Sequence, residues 1–128
     1  MHALHSPREA YRRVEFDARV TGARPAELVL VCYEQFGAAL ARAQTAAVSG
    51  DNLLKSQSLT RALAALTALQ LGIDQRQPLA PALDQFYAAA RRTVLGSVLQ
   101  FDRDALAAVD RDMADIAAAL RLSGDAQP

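Results

Sequence analysis

Cys32, the histidines His2 and His5, the carboxylates Asp110, Asp112 and Asp115, and the basic pairs Arg12-Arg13 and Arg91-Arg92 are the side chains that could do chemistry here. A thiol becomes a nucleophile when a nearby base or cation draws off its proton. Cys32 lies inside the apolar run Leu28-Val29-Leu30-Val31-Cys32-Tyr33, and both histidines sit at the far N-terminus. It therefore reads as a small core residue. A di-metal bundle needs inward Glu residues and Glu-x-x-His pairs, and His2 and His5 cannot supply them. The same scarcity removes a phosphotransfer bundle, which needs a histidine exposed on a helix. Asp110, Asp112 and Asp115 read as a solvated helix face, and no glycine-rich phosphate loop is present. No catalytic residue, metal site or cofactor is expected.

Charge narrows the partners. Fourteen basic side chains balance 14 acidic ones, so the basic footprint of a nucleic-acid binder is missing. The pairs Arg12-Arg13 and Arg91-Arg92 are too few and lack stacking aromatics. They read as solvated surface, or, for Arg91 or Arg92, as contacts to acidic groups on a partner. No apolar run reaches the length of about 18 residues that spans a bilayer, so no membrane insertion is expected. "MHALHSPREA" lacks the apolar stretch of a signal peptide. A single cysteine excludes an intrachain disulfide, and a reducing, cytoplasmic setting is expected.

These side chains must be carried by helices. Alanine and leucine dominate the apolar content, and β-branched residues are sparse. Four segments show 3–4 spacing. The first runs from about Pro25 to Ala47, with Leu28, Val29, Cys32, Phe36, Ala39, Leu40 and Ala43 inward. Gly50 suits a left-handed turn, and Asp51 can cap the next helix. That helix runs from about Asn52 to Leu71, with Leu59, Ala62, Leu63, Leu66, Leu69 and Ile73 inward. The third runs from about Leu79 to Gln100, with Leu83, Phe86, Tyr87, Ala90, Val94, Val98 and Phe101 inward. Asp102 caps a fourth, about Arg103 to Leu122, with Leu106, Val109, Met113, Ile116 and Leu120 inward and Arg111, Asp112 and Asp115 outward. Short connections between helices of similar length predict an all-α, antiparallel up-down four-helix bundle over residues 22–122. Residues 1–21 have scattered apolar side chains and are expected to be a loosely ordered N-terminal segment. Residues 123–128, "SGDAQP", should fray.

Apolar side chains exceed what one core needs. A helix turns about 100° per residue, so the run Leu28 to Tyr33 covers every side of the first helix. Leu30 and Val31 fall off its main stripe, toward Glu34, Ala38 and Arg42. On the third helix Ala88, Leu95 and Leu99 form a second stripe. This surplus is either ordinary surface scatter or a wide core face, or a groove for another helix or extended peptide.

The same residues resemble a family. "AYRRV" at 10–14 and "ARPAELVLVCYEQF" at 23–36 resemble the flagellin-specific export chaperones of the FliS family. Its pattern is roughly Ala-Tyr-x-x-Val, a gap, then Ala-Ser-Pro-x-x-Leu-Val-x-Met-Leu-Tyr-Asp/Glu-Gly. Ala10, Tyr11 and Val14 match the first part, and Ala23, Pro25, Leu28, Val29, Tyr33 and Glu34 the second. "GD" at 50–51 fits its first inter-helix turn, and "LDQFY" at 83–87 resembles its Leu-x-x-Leu-Tyr. The likeness spans about residues 10–121 in order and spacing. Arg24 stands for the family's Ser, Val31-Cys32 for Met-Leu, and Gln35 for Gly. These departures bear on client preference more than on fold.

The resemblance implies a cytoplasmic bundle, monomeric when free. Such a bundle binds the disordered C-terminal segment of flagellin, prevents premature polymerisation and docks the complex at the flagellar type III export gate. It also implies that the N-terminal segment, with Tyr11 and Val14, lies over the client groove when no client is bound. The partner-binding residues expected on this reading are Tyr11, Val14, Leu30, Val31, Glu34, Ala88, Arg92, Leu95 and Leu99. The alternative is a non-chaperone bundle that interacts or dimerises through the Leu30 and Leu99 surface.

Overall fold

The structure is a computed structural model that describes residues 25–126. Four helices follow one another: α1 (Pro25–Ser49), α2 (Asn52–Leu71), α3 (Ala80–Leu99) and α4 (Arg103–Ala126). Their starts follow from local chemistry. Pro25 opens α1 with its ring-fixed φ, and Glu27 lies in the first turn, where a carboxylate favours the helix dipole. Gly50 adopts φ +74° after α1. Asp51 then accepts a hydrogen bond from the Leu54 N–H at 3.0 Å, and Asp102 accepts one from the Ala105 N–H at 3.0 Å. The fourth helix passes Leu122 and continues to Ala126, because the first proline after it is Pro128.

The helices pack in ring order, α1 on α2, α2 on α3, α3 on α4 and α4 on α1. No Cα of α1 comes within 8 Å of α3. The α1–α2 seam is the most extensive, and both helices carry small buried side chains, Ala39, Ala43 and Ala46 on α1 and Ala62, Ala65 and Ala68 on α2. Phe36, Leu40, Leu59, Leu66, Val94, Leu106 and Met113 fill the centre with almost no exposure. Each such side chain contributes about 1.5–3 kcal/mol of burial.

Most of the expected stripes point inward, and three details differ. Val98 was expected inside but is 49% exposed, while Ser97 is 1% exposed. The inward path on α3 steps from Val94 to Ser97, and the Ser97 hydroxyl accepts the Asp102 N–H at 3.2 Å, which pins the α3–α4 turn. Leu120 was expected inside and is 39% exposed, while Ala117 is buried. The core stays open there, and Leu120 lines a cavity of about 270 Å³. Tyr33, off the expected stripe, is buried against Tyr87 of α3, their hydroxyl oxygens 2.6 Å apart.

Candidate partner-binding surface

The expected binding residues fall in three places. Tyr11 and Val14 lie outside the described residues. On α1, Leu30 and Val31 are half-buried and pack against the core, and Glu34 is exposed and pairs with Arg121 of α4 at 3.6 Å. On α3, Ala88 is half-buried, Arg92 is exposed, and Leu95 and Leu99 are 47% and 92% exposed. Helices α1 and α3 run in the same direction on opposite corners. Leu30 and Val31 lie near the start of one, Leu95 and Leu99 near the end of the other. The structure therefore does not join them in one groove. A segment that met both groups would have to pass around the bundle.

Sequence reasoning missed several companions of Leu95 and Leu99. Val48, Leu53, Leu54 and Val98 are also exposed, and they flank the α1–α2 and α3–α4 turns. In an up-down bundle those turns share one end. The Lys55 ammonium lies 5.4 Å from the Phe101 ring centre, and the Gln44 amide donates to the Arg103 carbonyl at 3.0 Å, which ties the turns together. The available signal was position. Leu53 and Leu54 lie in the first turn after a cap, ahead of the buried run that starts at Ser58 and Leu59. At the opposite end Leu71, Leu79 and Leu122 are exposed as well.

The interior at that opposite end is apolar. Leu28, Cys32, Leu69, Leu83 and Tyr87 line the cavity that Leu120 borders. Burial pushes the Cys32 thiol up to about 11, so it stays protonated at neutral pH and makes a poor nucleophile. Burial raises both phenols too, and the bond to Tyr87 holds the Tyr33 proton further. These groups are suited to packing. Among the described residues no His, Cys, Asp or Glu side chains cluster to hold a metal ion. Among the described residues no helix is long and apolar enough to cross a membrane.

What the geometry offers is a completed bundle that still exposes leucine and valine at the ends of its helices. Comparison with known proteins gives that arrangement a family. The model of the family described as "Flagellar protein FliS" matches residues 7–122. The chain belongs to the FliS family. It is 28% identical over 114 residues to the flagellar secretion chaperone FliS of Salmonella typhimurium (strain LT2), covering 87% of this chain and 84% of the relative. FliS membership agrees with the resemblance of "AYRRV", "ARPAELVLVCYEQF" and "LDQFY", and places the chain in the class of flagellar secretion chaperones.

Proposed function

We propose that this FliS-family protein binds the C-terminal segment of flagellin in the cytoplasm, keeps it from pairing with other flagellin molecules and presents it at the flagellar type III export gate. It acts by binding alone. The observation that supports this reading most is the surplus on α3. Leu95, Val98 and Leu99 stay exposed while α3's own core stripe is satisfied by Leu83, Phe86, Tyr87, Ala90 and Val94. A client that is disordered when free can fold an apolar face onto such a surface. Leu30, Val31 and Glu34 on α1 and Ala88 and Arg92 on α3 would meet other parts of a client that wraps the bundle. Tyr11 and Val14 are assigned by the resemblance to the segment that competes for the same surface when no client is bound.

Seeded filament growth tests the role. A stoichiometric amount of the protein stops addition of flagellin monomers to filament seeds, and Leu99→Glu abolishes that effect while remaining folded. Growth unaffected by the native protein contradicts the reading. Light scattering over a range of concentrations separates it from a dimerisation module. The free protein stays monomeric, whereas an obligate dimer would keep twice the mass at every dilution.

A further inference from the structure

Arg91 is treated differently from the charges around it. Its Nε–H donates to the Gln70 side-chain oxygen at 3.2 Å. Its Nη2 donates to the same oxygen at 2.6 Å and to the Thr67 hydroxyl at 2.6 Å. Thr67 in turn donates to the Leu63 carbonyl at 3.0 Å, which fixes the hydroxyl that receives the guanidinium. The planar fork is thus held in the α2–α3 seam by two neutral acceptors, and among the described residues it has no carboxylate partner. Arg76 and Arg121, by contrast, pair with Asp74 and Glu34. Nη1 makes no hydrogen bond among the described residues, so its two N–H groups remain for an incoming oxygen.

The surroundings favour an acidic visitor. Helix α2 carries Lys55 and Arg61 and no carboxylate, and α3 carries Arg91 and Arg92 against Asp84 alone. Helices α1 and α4 carry an excess of Asp and Glu. Asp84 precedes Arg91 by seven residues, about 10 Å along the helix, too far to neutralise it. On the same edge of α3 lie Ala88, Leu95 and Val98, at the helical spacing that places them in line with Arg91. Leu95 and Val98 are each about half exposed, at 47% and 49%. A fixed, partly desolvated guanidinium loses little freedom on pairing and acts through a lower local dielectric than its exposed neighbour Arg92.

We propose that Arg91 is a preset anchor for a carboxylate of the client, which lies along the α2–α3 seam with apolar side chains on Leu95, one turn away, and on Val98, two turns away. This rests on the reading that the client is flagellin's C-terminal segment, and it names the chemistry by which that segment is placed. The recognised element is an acidic residue flanked by leucine-like side chains.

The test titrates the C-terminal flagellin segment of the same bacterium against the native protein and against Arg91→Gln, Arg91→Lys and Arg111→Gln, at about 50 and 300 mM salt, where screening differs strongly. Arg91→Gln lowers affinity about tenfold or more at low salt and flattens the salt dependence. Arg91→Lys keeps part of the affinity, because the charge remains and the fork is lost. Arg111→Gln, an exposed cation on α4 away from the seam, changes affinity less than about threefold. Converting the segment's Asp and Glu residues to amides one at a time finds one whose loss costs nothing further in the Arg91→Gln background. Should Arg91→Gln melt too low to use, Thr67→Val and the amide scan on the native protein replace it. Thr67→Val removes one of the fork's two acceptors, leaving Gln70, and weakens binding, and one amide weakens it more than the rest.

Native protein that binds while Arg91→Gln matches it in affinity and salt dependence overturns the anchor and leaves the chaperone reading standing. Native protein that does not bind overturns both. If Arg91→Gln instead abolishes self-association seen by light scattering, the occupant is a second copy and the proposal falls.

Discussion

Helices α1 and α3 run in the same direction on opposite corners of the bundle and meet through the Tyr33–Tyr87 hydroxyl contact. Both carry more apolar side chains than one stripe needs. On α1 the surplus is absorbed, since Tyr33 is buried and Val29, Leu30 and Val31 are half-buried against the core. On α3 it is not, and Leu95, Val98 and Leu99 stand 47%, 49% and 92% exposed. Two segments with the same anomaly thus do different work. The first mostly widens the core face and leaves Leu30 and Val31 only half accessible, and the second stays on the surface. An apolar surplus in a sequence becomes a binding argument only after the chain's own packing has taken its share.

The largest effect should come from the shared core. Phe36→Ala removes a side chain with no exposure and should cost about 3–5 kcal/mol in urea denaturation. Next comes the contrast between the two surpluses. Leu99→Glu should leave stability within about 0.5 kcal/mol and weaken flagellin-segment binding about a hundredfold, or roughly 2.7 kcal/mol. Val31→Glu places a charge on a half-buried site and should cost about 1–2 kcal/mol of stability. Equal tolerance of both substitutions would erase the distinction between the helices.

Smaller still is the bond that joins α1 to α3. Tyr33→Phe should destabilise by about 1 kcal/mol, and Tyr33→Phe with Tyr87→Phe should cost less than the sum of the two singles. Each single change strands one buried hydroxyl, whereas the double change strands none. The smallest effect concerns Asp110, whose carboxyl burial raises above its ordinary value. The folded state then holds that proton more tightly than the unfolded chain does. The penalty is absent at pH below about 4, sets in as pH rises through the unfolded value, and persists at neutral pH. Asp110→Asn should therefore raise the melting temperature slightly at neutral pH and leave it unchanged in acid.

Helix number, order and starts were legible because caps and periodicity are local, whereas α1 and α4 run past their expected ends to Ser49 and Ala126. Asp51, Asp102, Gly50 and Pro25 act within a turn of themselves. Register at the helix ends was less legible. Periodicity could not choose between Ser97 and Val98, since the choice depends on the Asp102 N–H that Ser97 accepts. It could not bury Tyr33 without knowing that Tyr87 lies opposite. The exposed Leu95 and Leu99 on α3 were visible as a second stripe, while Leu53, Leu54 and Val48 were not, because nothing local says that two turns share one end. Arg91 and Arg92 are alike as letters. Only the positions of Thr67 and Gln70 tell them apart. Gly37 was likewise silent in the sequence, yet a side chain there would meet the Asp110 carboxylate at 3.3 Å across the α1–α4 seam.

The account rests on a client that folds onto an already folded bundle, and calorimetry of that binding over a range of temperatures tests it most directly. Titrating the C-terminal flagellin segment into the protein should give saturable binding with a clearly negative heat-capacity change, equivalent to burying on the order of 1,000–3,000 Å². Circular dichroism of the mixture should exceed the sum of its parts, because the client gains helix and the bundle keeps its own. No heat at tens of micromolar (about 6–7 kcal/mol of binding free energy at most), or a heat-capacity change near zero with additive helicity, would contradict it.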